Sequence, residues 1–125
     1  MPVKIIITVA GIRLDAELLD TPCARKVAEA LPIIAEPNEW GDEFYFEIPV
    51  SMPSDETAVT MVKVGDIGYW PPGNALAIFF GPTPMSKGPD PVPASAVNLV
   101  GKIAGDTAVL RNIKGAIKEI RIERG

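Results

Sequence analysis

Residues Gly65 to Pro84, GDIGYWPPGNALAIFFGPTP, commit the middle of this chain to two strands folded about one sharp bend. Tyr69 and Trp70 lead into Pro71 and Pro72, which have no N–H to give to a sheet ladder. Gly73-Asn74 then tolerates the positive φ that turns the chain back into Ala75 to Phe80. A bend of this composition sets aromatic side chains beside exposed carbonyls, the make-up of a groove rather than of a plain hairpin.

Short strands recur along the rest of the chain. Val3 to Val9 is a β-branched run, Ala10-Gly11 is a turn, and Ile12, Leu14, Ala16 and Leu18 alternate with Arg13, Asp15 and Glu17, so the chain opens on a hairpin. Thr21 then caps a helix with Pro22 at its first position, and Ala24, Val27, Ala28 and Leu31 keep helical spacing until Pro32 stops it. From Asp42 to Pro49 the period returns to two, with Phe44, Phe46 and Ile48 on one face and Glu43, Tyr45 and Glu47 on the other. Ala58 to Val64, Ile67 to Trp70, Val97 to Ala104, Val109 to Ile113 and Ala116 to Glu123 complete the predicted strands. The loop Pro82 to Ser95 carries five of the 13 prolines and reads as an extended, irregular connection.

About seven short strands and one helix predict a mainly β fold, a closed barrel in which KIIITV and AIKEIRI pair as end strands and seal the cylinder. The 125 residues read as a single domain, residues 1–125, long enough to bury roughly two-thirds of the surface of the unfolded chain. An exposed end strand such as IKEIRIE offers a route to a homodimer across a two-fold axis.

Charge and missing residues narrow the function. A net charge of −4 disfavours nucleic acid and anionic membrane, both of which need clustered Lys and Arg. There is no His, which removes Ser-His triads, His-based proton transfer and most zinc sites together. No carboxylate pair has the spacing of a glycosidase or a metal site, and neither metal nor cofactor is expected. The single Cys23 cannot close an internal disulfide, and at a helix start without a His partner it reads as a small buried thiol. The N-terminus lacks a signal-peptide pattern and no run is long enough to span a bilayer, so a cytoplasmic location is expected.

AIFFGPTP followed by VNLVGKI resembles the core of cyclophilins, the peptidyl-prolyl isomerases. More closely, Trp40 to Phe46 and Gly65 to Gly73 resemble the motifs of the small bacterial and archaeal cyclophilin-like proteins, over nearly the whole chain. The resemblance implies a cyclophilin-like barrel and matches Phe80 to the Phe that floors the isomerase proline pocket. The other isomerase positions are not filled. The Gln two residues earlier is Ile78, the loop that follows has no aromatic, and neither Asp42 to Val50 nor Ala58 to Trp70 contains the catalytic Arg. The arginines stand instead at Arg13, Arg25, Arg111, Arg121 and Arg124.

These observations predict a binding module with little or no isomerase activity. Its groove is expected to comprise Trp40, Glu43, Tyr45, Tyr69, Trp70, Asn74 and Phe80, and to take a peptide or a small apolar ligand. One alternative is an isomerase with a non-standard electrophile, for which Lys63 is the candidate. Another is an enzyme on a small metabolite in which Glu43 and Tyr45 act on the ligand. Asp42 and Asp66, each beside a Gly, read as turn formers.

Overall fold

The computed structural model describes residues 2–115 and 117–125, and Ala116, the first residue of the predicted last strand, lies outside them. The opening hairpin is as expected: β1 (Val3–Val9) pairs with β2 (Ile12–Leu18) antiparallel, from Val3↔Leu18 to Val9↔Ile12. Helix α1 (Pro22–Glu29) follows, its Thr21 side chain accepting a 3.2 Å hydrogen bond from Ala24 N. Cys23, Ala24, Val27 and Ala28 are the face it buries.

Two very short strands escape the sequence pattern, β3 (Ile33–Ala35) and β4 (Asn38–Glu39), and the strand expected over Ala58 to Val64 is confined to β6 (Ala58–Val59). Between and after them come β5 (Glu43–Glu47), β7 (Asp66–Trp70), β8 (Ala75–Phe79), β9 (Val97–Ile103) and β10 (Ile120–Arg124). The stretch Ala108–Ile113 is a 3-10 helix rather than the predicted strand, with Leu110 buried. Val109, Leu110 and Ile113 within a five-residue stretch are too few to show a period that separates the two.

Among the described residues the strands form one antiparallel sheet in the order β3-β10-β1-β2-β9-β7-β8-β5-β4, with β6 added to β9. The end strands do meet, Ile5↔Arg124 through Val9↔Ile120. That pairing lies inside the sheet and does not seal it, so the expectation of a closed barrel is corrected to an open, curled half-barrel. Its two edges are β3 and β4, joined in sequence by Glu36-Pro37, with no ladder between them. At three and two residues, and flanked by Pro32 and Pro37, these edges offer few N–H groups for closure. The last strand is not a sheet edge along its first residues. Ile120 to Ile122 are paired on both sides, to β1 and to Ile33–Ala35 of β3, and present no free edge there.

The concave face holds the main core. Phe44 and Phe46 of β5, Ile67 and Tyr69 of β7, Leu76 and Ile78 of β8 and the following Phe80 meet the aliphatic residues of β1, β2, β10 and α1 there. Phe44 and Phe80 touch with ring centroids 4.6 Å apart and planes tilted by 47°. Replacing Phe80 with Ala is expected to lower the unfolding free energy by about 3–5 kcal/mol. Ile34→Thr at the edge, where Ile34 is 55% exposed, should change it by less than about 0.5 kcal/mol. Urea denaturation of the two variants measures both.

Candidate functional site

Strand parity decides what faces outward. With Phe44 and Phe46 turned into the core, Glu43 and Tyr45 stand on the opposite face of β5. The register sets Phe79 of β8 against Glu43 and Ala77 against Tyr45. On the next strand Trp70 is in phase with Gly68 and out of phase with the core residues Ile67 and Tyr69. Val97 opens β9 beside them, in a second, smaller apolar cluster with Val62, Ala77 and Phe79. Gly68 makes this possible, because a Cβ there would stand 2.7 Å from a Val97 methyl.

On this outer face lies a cavity of about 220 Å³. Glu43 and Tyr45, Ala77 and Phe79, and Trp70 supply its base from three adjacent strands, while Trp40 and the segment Pro93-Ala94 wall it in. Trp40 is placed by a tight turn in which its N–H donates to the Glu43 carbonyl at 3.0 Å. Trp70 is held from two sides. Its indole N–H donates to Ser95 Oγ at 2.7 Å, and Gly73 leaves room for the ring, which a Cβ there would approach to 2.8 Å. The proline-rich connection is tied to itself: Thr83 Oγ1 donates to the Val92 carbonyl, and Ser86 Oγ accepts from Thr83 N and donates to the Asp90 carbonyl. Its far end is thereby delivered to the cavity as a wall.

Glu43 is the chemical anomaly of this face. It is 7% exposed, and its Oε1 is buried with no hydrogen-bond partner among the described residues. Desolvation in these apolar surroundings pushes its pKa from 4.5 up to about 8. The other buried oxygen in this condition is Asp55 Oδ2, whose second carboxyl oxygen accepts from Thr57 N at 2.8 Å.

Of the seven residues predicted for the groove, Trp40, Glu43, Tyr45 and Trp70 line this cavity together. The other three stand elsewhere. Tyr69 is fully buried on the concave face, its hydroxyl donating to the Val50 carbonyl at 2.7 Å and accepting from Met52 N at 3.1 Å. Asn74 takes the left-handed conformation (φ 48°) that closes the Pro71–Gly73 turn, and its Oδ1 lies 3.1 Å from the Tyr69 hydroxyl. Phe80 belongs to the main core, and Phe79 takes the outward place instead. The exchange was legible in ALAIFF: Leu76 and Ile78 mark the inner face, and Phe80 is in phase with them. Pro93 and Ala94 had no such signal, since the loop's internal bonds place them.

Lys63 is exposed and is not among the lining residues; its backbone N–H donates to Asp66 Oδ2 at 2.8 Å, which bears out Asp66 as a turn former. Asp42 does more than make a turn. Its carboxylate pairs with Arg111 at 3.1 Å and Lys114 at 2.9 Å, anchoring the 3-10 segment beside Gly81. That brings Arg111 beside Gly81, one residue beyond Phe80, but it is held by Asp42 and does not line the cavity. Cys23 is buried, with the Asn98 amide 3.6 Å from its sulfur, and burial raises its pKa. Among the described residues no group of three or more His, Cys, Asp or Glu side chains is placed to hold a metal ion, and no helix is long and apolar enough to cross a membrane.

The folded protein keeps the Glu43 proton over a range in which the unfolded chain gives it up. Glu43 therefore costs stability progressively as pH rises from 4.5, reaching a constant penalty above about 8. Glu43→Gln is expected to gain stability over the wild type across that window and to lose the advantage below it. Urea denaturation at a series of pH values measures the gap; a gap independent of pH would refute the assignment.

The sequence profile described as Cyclophilin-like matches residues 1–123. No curated protein matches the chain. The solution structure of a hypothetical protein from Archaeoglobus fulgidus superposes with a TM-score of 0.78 at 35% sequence identity, covering 98% of this chain and 95% of that one. With the profile spanning all but the last two residues and a relative alike over its full length, the chain belongs to the cyclophilin-like family.

Proposed function

We propose that this member of the family is a ligand-binding module that takes a small molecule, or a single side chain of a peptide, into the cavity of Trp40, Glu43, Tyr45 and Trp70. It has little or no prolyl isomerase activity. The observation that supports this most is Glu43: a buried carboxyl with an unpartnered oxygen, set in an aromatic cavity, costs the protein stability that a ligand's polar group would recover. The size of the cavity, about 220 Å³, falls below the roughly 300–1,000 Å³ of sites for drug-sized molecules, which favours a small ligand.

Isomerase activity fits poorly for a physical reason. Rotation about the peptide bond faces a barrier of about 18–20 kcal/mol, which a catalyst lowers with a donor aimed at the twisting amide. Neither Lys nor Arg lines this cavity. A second reading, proton transfer to a small metabolite, is favoured by one observation: a carboxyl with a pKa of about 8 sits on the same strand face as Tyr45.

Trans-to-cis relaxation of a short X-Pro peptide should proceed at the same rate with and without the protein; acceleration would overturn the first reading. Tryptophan fluorescence titrated with a panel of small neutral and charged molecules should find binders in the wild type. Ala77→Phe, which fills the floor of the cavity, is expected to weaken them about tenfold or more while the circular dichroism spectrum is retained.

A further inference from the structure

The cavity combines three features that point to one kind of ligand. Four aromatic residues, Trp40, Tyr45, Trp70 and Phe79, contribute to its walls. Glu43 sits among them with an oxygen that no donor among the described residues satisfies. No Lys or Arg lines the same space. Aromatic faces attract cations, and a buried carboxylate is stable only when paired. A neutral apolar ligand would satisfy the walls and leave Glu43 unpaired, and an anion would be repelled once the carboxyl ionises, above about pH 8. An alkylated ammonium meets both requirements, since its methyl groups pack on rings and its charge pairs with the carboxylate. Its compact head also suits a cavity of about 220 Å³.

We infer that the cavity is a receptor for an organic ammonium group, bound between Glu43 and the aromatic residues Trp40, Tyr45 and Trp70. The inference deepens the binding-module reading above and rests on it. Binding carries a proton signature. Glu43, with its pKa near 8, must give up its proton to pair with the cation, so affinity for a permanently charged ammonium rises with pH through that value. Tyr45 is the other titratable side chain on the walls, and β7, β8, β9 and the Pro93-Ala94 segment contribute Trp70, Ala77, Phe79, Val97, Pro93 and Ala94, none of which titrates.

The two tryptophans of the chain both line the cavity, so tryptophan fluorescence reports on this site. The test titrates the full-length protein with choline, and with the neutral alcohol in which carbon replaces the charged nitrogen, at matched ionic strength. Choline is expected to bind about tenfold or more tightly than its isostere at about pH 9, and about tenfold more tightly there than at about pH 7, with the isostere unaffected by pH. Glu43→Gln should remove the pH dependence and shrink the preference. In a second arm, tighter binding of acetylated trimethyl-lysine amide than of choline would assign the group to a protein side chain, and the reverse to a free small molecule; either is an ammonium and supports the inference. Equal affinity for choline and its isostere, or choline binding in the wild type that ignores pH, would overturn it while leaving a cavity that binds neutral ligands. No fluorescence response to choline would overturn it as well, and the binding-module reading would then stand or fall on the neutral ligands and Ala77→Phe.

Discussion

The packing of Phe44 against Phe80 inside the curled sheet governs everything on its other side. The two rings meet 4.6 Å apart, and the pleat that turns them inward necessarily turns Glu43, Tyr45 and Phe79 outward. A slip of one residue in β5 would carry the Glu43 carboxyl into the hydrocarbon core and the Phe44 ring into the cavity. The large apolar area buried on the concave face keeps that from happening, so the site inherits its precision from a core with which it shares no side chain.

Much of this arrangement is legible in the residues themselves. Alternation in VKIIITV, IRLDAEL and EFYFE marks strands and their faces, and Thr21-Pro22 marks the helix start. What the pattern cannot express is pairing between short pieces: β3, β4 and β6 have two or three residues each, too few to display a period, and whether two edges join is a matter of backbone donors rather than of side-chain alternation. For that reason the end-strand pairing was foreseeable and the open seam was not. Within the site, Trp40, Glu43, Tyr45 and Trp70 were accessible from parity and from the Gly- and Pro-rich bends. Family resemblance points to Phe80, whereas the phase of Leu76 and Ile78 turns Phe80 inward and Phe79 outward.

The family relationship and the chemistry of the site separate here. The fold positions an aromatic cavity on the outer face of β5, β8 and β7, yet what lines it is one carboxyl without a cation, whereas rotation about an amide asks for a donor. Arg111 illustrates the distinction. It arrives one residue beyond Phe80 but is consumed, together with Lys114, in fixing Asp42 and the 3-10 segment. Membership of the cyclophilin-like family is therefore no guide to what this surface does; the side chains on it are.

Trp70 is bracketed by the space over Gly73 and by its bond to Ser95, a residue 25 positions further along the chain. An indole clamped this way has already surrendered its rotamer freedom during folding, so a guest that stacks on it has no ordering cost left to meet at that position. The clamp also joins the proline-rich connection to the sheet. Severing it would both loosen the platform and release one side of the cavity, which makes a single hydroxyl the hinge-pin between the indole platform and loop geometry.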